Sequence, residues 1–266
     1  MSTTRGPSSK PKRLVSKPLL HPPLSQVAFE VNFANCFAVE TRIAEYQNRV
    51  KDRYPRSGGE YVVRLPSTVA FGKPPKEVEG APLTPMRSFV FQNATSSRII
   101  RVSVVNFSLV VTDYLHFDDY IDALTAALTP AIEIFQLENV DRIGLRYINQ
   151  IGIPAKAANT VYEKYVRSPI RTDTFSGRAL TNFLTEVSLD LDTTKRLTIR
   201  SGLLPYQPGS ATQTYLLDLD CFSQNVALAS QSTVPLLAEY HEAIEAQFIR
   251  AVTPGYLKHM ADGSDL

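Results

Sequence analysis

The stretch Asp141-Arg-Ile-Gly-Leu-Arg-Tyr-Ile-Asn-Gln-Ile151 decides how this chain is read. Side chains alternate across an extended backbone, so Ile143, Leu145 and Tyr147 share one side while Arg142, Arg146 and Gln150 take the other. That is the pattern of a half-buried strand in a sheet with one polar face. Gly144 falls on the polar side, where a missing Cβ lets a neighbouring backbone or a ligand come close. Arg142 and Arg146 flank that gap. With Asn149 they form a candidate anion site, because two guanidinium forks can clamp a carboxylate or phosphate. The competing reading pairs both arginines with acids elsewhere on the same sheet face.

The same patterning extends outward along the chain. Upstream, residues 26–34 alternate as a strand, and residues 37–54 place Ile43, Tyr46 and Val50 on one helical face. Gly58 and Gly59 read as a turn, residues 61–71 as an edge strand because of Pro66, and 72–86 as a proline-rich loop. Strands are expected at 87–93, 98–105 and 107–114, then a helix at 118–137 with Asp118 and Asp119 at its start and a kink at Pro130. Downstream, a short helix near 160–167 and a polar link precede strands at 183–192, 196–203 and 213–221. A helix at 234–252 follows and stops at Thr253-Pro254-Gly255.

The hairpin between 183–192 and 196–203 has a register that can be argued. A loop at 193–195 pairs Asp192 with Arg196, Asp190 with Thr198, Leu191 with Leu197 and Leu189 with Ile199, keeping every side chain on a consistent face. The element order then runs β-α-β(3–4)-α twice. The expected fold class is α+β: antiparallel sheets with helices packed on one face, in two pseudo-repeats. The halves are 21–138 and 139–255, between a basic leader (1–20) and a C-terminal tail (256–266). Residue identity between the halves is negligible, and one continuous sheet or two domains are both open.

Composition bounds the function classes. The 266 residues are 44% hydrophobic and 20% charged, which excludes a fully disordered chain, a coiled coil and a collagen-like repeat. The net charge is +2, but Arg5, Lys10, Lys12, Arg13 and Lys17 place +5 before residue 20, leaving the rest at −3. Such a body does not suit a dedicated nucleic-acid binder; only the leader suits contact with a polyanion. No apolar run is long enough to span a membrane. With no secretory signal, and with Cys36 and Cys221 as the two cysteines, the expected location is the cytoplasm, with both thiols reduced.

Two acid pairs carry the other candidate chemistry. Asp190 and Asp192 share one strand face, and Asp218 and Asp220 share another in Leu217-Asp-Leu-Asp220. On neighbouring strands the four carboxylates could hold Mg or Mn. The preferred reading is a cross-strand charge ladder with Arg196 and Arg200. His241 and Glu245 lie four apart on the last helix without the second histidine of a zinc motif, so His241 reads as a partly buried helix residue. His116, beside Asp118 and Asp119, reads as a turn residue before it reads as a general base. No GxGxxG, GxxxxGK[ST], GxSxG or CxxC occurs, so no catalytic or cofactor residue is assigned.

Four segments together carry a family resemblance: His21-Pro-Pro-Leu-Ser-Gln-Val-Ala-Phe-Glu-Val-Asn-Phe33, Asp113-Tyr-Leu-His-Phe-Asp-Asp-Tyr120, Arg142-Ile-Gly-Leu-Arg-Tyr-Ile-Asn149, and Leu217-Asp-Leu-Asp220 with the helix bearing His241 and Phe248. Over roughly residues 20–255 the chain resembles a sporadically distributed prokaryotic family of uncharacterised proteins of about this length. The resemblance brings no catalytic residue. Patchy distribution implies horizontal transfer and a mobile-element or phage-defence setting. The expected function is a non-catalytic interaction or sensor module with another protein as partner, with a homo-oligomer left open. The alternative is a divalent-metal-dependent enzyme acting on nucleic acid or nucleotides through Asp190, Asp192, Asp218 and Asp220. A third option is a small-ligand pocket between sheet and helices.

Overall fold

The computed structural model describes residues 19–62, 86–154, 158–170, 174, 180–228 and 230–266. The leader to residue 18, most of the expected strand 61–71, most of the proline-rich loop and most of the polar link after residue 170 lie outside the described residues.

The first half of the chain runs β1 (Leu24–Asn32), α1 (Ala38–Val50), β2 (Arg56–Val62), β3 (Met86–Gln92), β4 (Arg98–Ser103), β5 (Asn106–Val111) and α2 (Phe117–Phe135). The second half runs β6 (Asn139–Pro154), α3 (Ala158–Tyr165), β7 (Thr185–Asp190), β8 (Lys195–Leu203), β9 (Thr212–Ala227), α4 (Ser230–Ala251) and α5 (Pro254–Asp262). The protein is α+β. Among the described residues the strands form one nine-stranded antiparallel sheet in the order β2-β3-β4-β5-β1-β6-β9-β8-β7. The first strand of each half lies beside the last strand of that half, and the β1–β6 pair joins the halves.

Period-two burial explains this sheet. Val27, Phe29 and Val31 of β1 lie fully buried beside Leu109 of β5 and Leu145 of β6, at aligned register positions. The same core takes Tyr46 from α1, Leu124 and Ala131 from α2, and Leu237 and Tyr240 from α4. Each large apolar side chain so buried stabilises the fold by about 1.5–3 kcal/mol. Tyr46 ties α1 to α2: its ring sits 5.3 Å from Phe135 and its Oη donates to the Ala127 carbonyl at 3.0 Å.

Several boundaries differ from the sequence reading. Gly58 and Gly59 lie inside β2, paired with Val90 and Phe89, rather than in a turn. Ladder hydrogen bonds come from the backbone, so a partner strand outweighs the glycine signal. β6 and β9 are each 16 residues long, beyond the expected 141–151 and 213–221, because each lengthens the ladder of the other. α2 starts after His116, which makes no side-chain cap; Asp118 and Asp119 fall in the first turn, where they complement the helix dipole. The Thr253-Pro254-Gly255 stop also starts α5. Thr253 Oγ1 accepts from the Tyr256 N–H at 3.2 Å, Pro254 takes the first turn, and Tyr256 and Met260 are buried.

The β7–β8 hairpin has its three-residue loop one position earlier than expected. Asp190 pairs with Arg196, Leu189 with Leu197, Ser188 with Thr198 and Val187 with Ile199. The Asp192 carboxylate explains the shift. Its Oδ1 accepts from the backbone N–H groups of Thr194 (2.7 Å) and Lys195 (2.8 Å), which pulls Asp192 out of the strand and into the turn. The pairing moves by two residues, so every side chain keeps the face assigned to it from sequence.

Candidate functional site

The even-numbered side chains of β6, β8 and β9 build a polar sheet face, opposite in parity to the core residues. It holds most of the chain's distinctive chemistry. Arg142 and Arg146 do meet carboxylates, and the carboxylates are Asp220 and Asp218. Nη2 of Arg142 lies 2.6 and 2.8 Å from the two oxygens of Asp220. Arg146 grips Asp218 through Nε at 2.7 Å and Nη2 at 2.6 Å. Both contacts are diagonal, since Asp220 stands directly across from Arg146 and Asp218 across from Ile148.

Gly144 makes the first diagonal available. A Cβ there would sit 2.8 Å from Arg142 Nη1 and 2.9 Å from Nη2. The group that approaches Gly144 is thus the guanidinium of Arg142, running along its own strand. Across the ladder from Gly144 stands Phe222, whose ring centre lies 4.6 Å beneath the same guanidinium.

The ladder continues to the sheet edge. Arg200 donates to Glu186 at 2.6 Å and lies 3.7 Å from Asp218, while Arg196 donates to Asp190 at 2.8 Å. Asp218 thus sits between two arginines with its side chain only 2% exposed. Donating hydrogen bonds to the Asp218 carboxylate holds the Arg146 guanidinium above its ordinary pKa, against the opposing effect of burial. Burial pushes the Asp220 carboxyl up from its ordinary range, against the pull of Arg142 and Arg146.

The four acids named from sequence therefore have separate engagements. Asp218 and Asp220 are salt-bridged, Asp190 faces Arg196 at the edge, and Asp192 caps the hairpin loop and contacts Lys195 at 3.1 Å. Among the described residues no group of three or more His, Cys, Asp or Glu side chains has the geometry to hold a metal ion. Asn149 does not join Arg142 and Arg146. Its odd number puts it on the other face, where it is buried and donates to the Leu217 carbonyl at 3.1 Å.

A second constellation was not legible in the sequence. Tyr147 Oη lies 3.1 Å from Tyr114 Oη and 2.9 Å from His241 Nδ1, and the His241 ring stacks on Phe117 at 4.2 Å. Tyr147 and His241 are 94 residues apart, Phe117 and His241 farther still, and no local pattern links them. Burial pushes the Tyr147 and Tyr114 hydroxyls up, Tyr114 to about 12, so both stay protonated at neutral pH. His116 lies on the surface beside this cluster, lining a cavity of about 20 Å³ with Arg98, Asp113 and Asp119. That space suits about one water rather than a substrate.

No protein-family model matches the chain, and no curated protein matches it. No helix among the described residues is long and apolar enough to cross a membrane.

Proposed function

We propose that the protein is a non-catalytic interaction module that receives another protein on the polar face of its sheet. In this reading the helices all lie on the core side, the two halves are topological repeats joined at β1 and β6, and the opposite face is left open. The observation that carries it is the pairing of acids and arginines across that face: Arg142 with Asp220, Arg146 with Asp218, Arg200 with Glu186 and Arg196 with Asp190. Carboxylates held this way are poor metal ligands and poor bases. A charge-balanced and prearranged surface is better suited to recognition, where complementary charges set specificity. Half-exposed arginines on this face, among them Arg146 (42%) and Arg196 (49%), supply contact groups. The mobile-element or phage-defence setting belongs to the same proposal and rests on the family resemblance alone; the cytoplasmic location rests on the sequence reading of the leader and of Cys36 and Cys221.

The test is affinity purification of the tagged protein from its native host, with Arg101→Glu on the polar face of β4 and Arg49→Glu on α1 as a control. A stoichiometric protein partner that is lost with Arg101→Glu and kept with Arg49→Glu supports the reading. A partner indifferent to Arg101→Glu overturns it. So does protein that purifies alone and shows Mg²⁺- or Mn²⁺-dependent turnover lost in Asp218→Ala.

A further inference from the structure

The end of the sheet at β7 has three properties that point to one kind of occupant. The first is its backbone. The N–H of Leu191 donates to the Lys195 carbonyl at 2.9 Å, and the N–H of Phe183 to the Leu203 carbonyl at 3.0 Å. Bonded and non-bonded pairs alternate along an antiparallel ladder. The odd residues of β7 therefore bond inward to β8, and Glu186, Ser188 and Asp190 turn their N–H and C=O groups outward. Among the described residues β7 is the last strand of the sheet, so those groups face its outer edge.

The second property is apolar exposure. Val187, Leu189 and Leu191 are 45%, 39% and 42% exposed, although their odd numbering puts them on the core-side face. Contiguous apolar side chains beside an edge strand are a template for strand pairing. The third property is charge. Glu186 and Asp190 stand on the polar side, half or more exposed, each held by one arginine through a single Nε.

We propose that β7 accepts an extended segment of a partner protein as a tenth strand, and that this segment alternates apolar with basic residues. Its apolar residues would cover Val187, Leu189 and Leu191, and its lysines or arginines would stand beside Glu186 and Asp190. A second copy of this chain fits worse. Antiparallel pairing of two β7 strands about Ser188 sets Glu186 of one copy beside Asp190 of the other, and like charges directly opposite are destabilising. The proposal deepens the interaction-module reading and rests on it: the partner seated on the polar face also sends one segment to the β7 edge, and the proposal names the chemistry of that segment.

The probes are two capped, dye-labelled nonapeptides, one alternating Lys and Val and one alternating Glu and Val, titrated against the full chain by fluorescence anisotropy. The lysine peptide is expected to bind at least tenfold tighter than the glutamate peptide. Glu186→Gln with Asp190→Asn is expected to narrow that preference to a few-fold. Ser188→Pro removes an outward N–H at an edge position, where proline is tolerated, and is expected to weaken binding tenfold or more with an unchanged far-UV spectrum. Amide hydrogen exchange on the wild type serves if that variant misfolds. The lysine peptide is expected to protect Glu186, Ser188 and Asp190, which alternate with residues already bonded to β8. Equal affinity for the two peptides, or no new protection on β7, overturns the proposal. A dimer lost in Ser188→Pro overturns it in favour of self-pairing. The two readings fail separately: a native partner lost with Arg101→Glu yet kept by Ser188→Pro overturns strand addition and leaves the module reading standing.

Discussion

Gly144→Ala tests the account of the polar face most directly. The new methyl would lie 2.8–3.0 Å from three atoms of the Arg142 guanidinium, closer than carbon tolerates. Backbone is not in the way, so the arginine moves and the strand stays. The cost is then the loss of two charge-assisted hydrogen bonds to Asp220, at 2.6 and 2.8 Å, between side chains only 21% and 12% exposed. Stranding a buried charge outright costs about 3–5 kcal/mol. Arg146 also acts on Asp220, and the displaced Arg142 can reach water, so about 2–3 kcal/mol is the better figure. Alanine offsets about 0.5–1 kcal/mol of that, because glycine loses more backbone freedom on folding. The expected net loss is about 2 kcal/mol in urea unfolding followed by circular dichroism. The decisive comparison is a double-mutant cycle with Arg142→Ala. Without the guanidinium the methyl meets no clash, so Gly144→Ala should become neutral or slightly stabilising, a coupling of about 2 kcal/mol. Equal destabilisation in both backgrounds would refute the claim that Gly144 is there to seat Arg142.

Other substitutions probe separate parts of the argument. Tyr147→Phe removes the hydroxyl that joins Tyr114 and His241 and should cost about 1–2 kcal/mol in the same assay; no loss would mean the three groups are not coupled. Gly202→Ala would drive a Cβ into the Phe183 carbonyl oxygen, a backbone atom that cannot swing away. It should cost about 3 kcal/mol and loosen the start of β7, read as faster hydrogen exchange at residues 183–187; unchanged exchange would contradict the close approach. For Asp220 the folded carboxyl is raised mainly by burial, so its contribution is fully present below the unfolded pKa and is lost as pH rises through the folded value. The stability of the wild type relative to Asp220→Asn should therefore fall as pH rises from the ordinary carboxylate range toward neutrality. A difference that grows instead would show that the Arg142 pair dominates the titration.

How much of this was legible in the sequence varies by element. The strand 141–151 and its two faces could be read because alternation is local, and Ile143, Leu145 and Tyr147 are indeed buried in β6. The hairpin kept its faces but not its register. Face is set by the parity of each strand, whereas register was set by where the Asp192 carboxylate found its N–H donors. α5 went unseen because Thr253-Pro254 both stops one helix and caps the next. Arg142, Arg146, Asp218 and Asp220 were all named, and the competing reading paired both arginines with acids on their own sheet face, but without saying which acids. Their union requires β6 to lie beside β9, a neighbour relation that no spacing encodes.

The sequence by itself determined which side of each strand is apolar, where most helices run, and that charge gathers on one sheet face. Those properties follow from periods of 2 and 3.6 residues, which act over a few positions. Only the tertiary structure decided that both halves share one sheet, that each guanidinium reaches a diagonal carboxylate past Gly144, that Tyr114, Tyr147 and His241 meet, and that β7 ends the sheet with its apolar side chains exposed. These depend on which strands become neighbours. That choice is made by burial of the whole core, not by any segment alone.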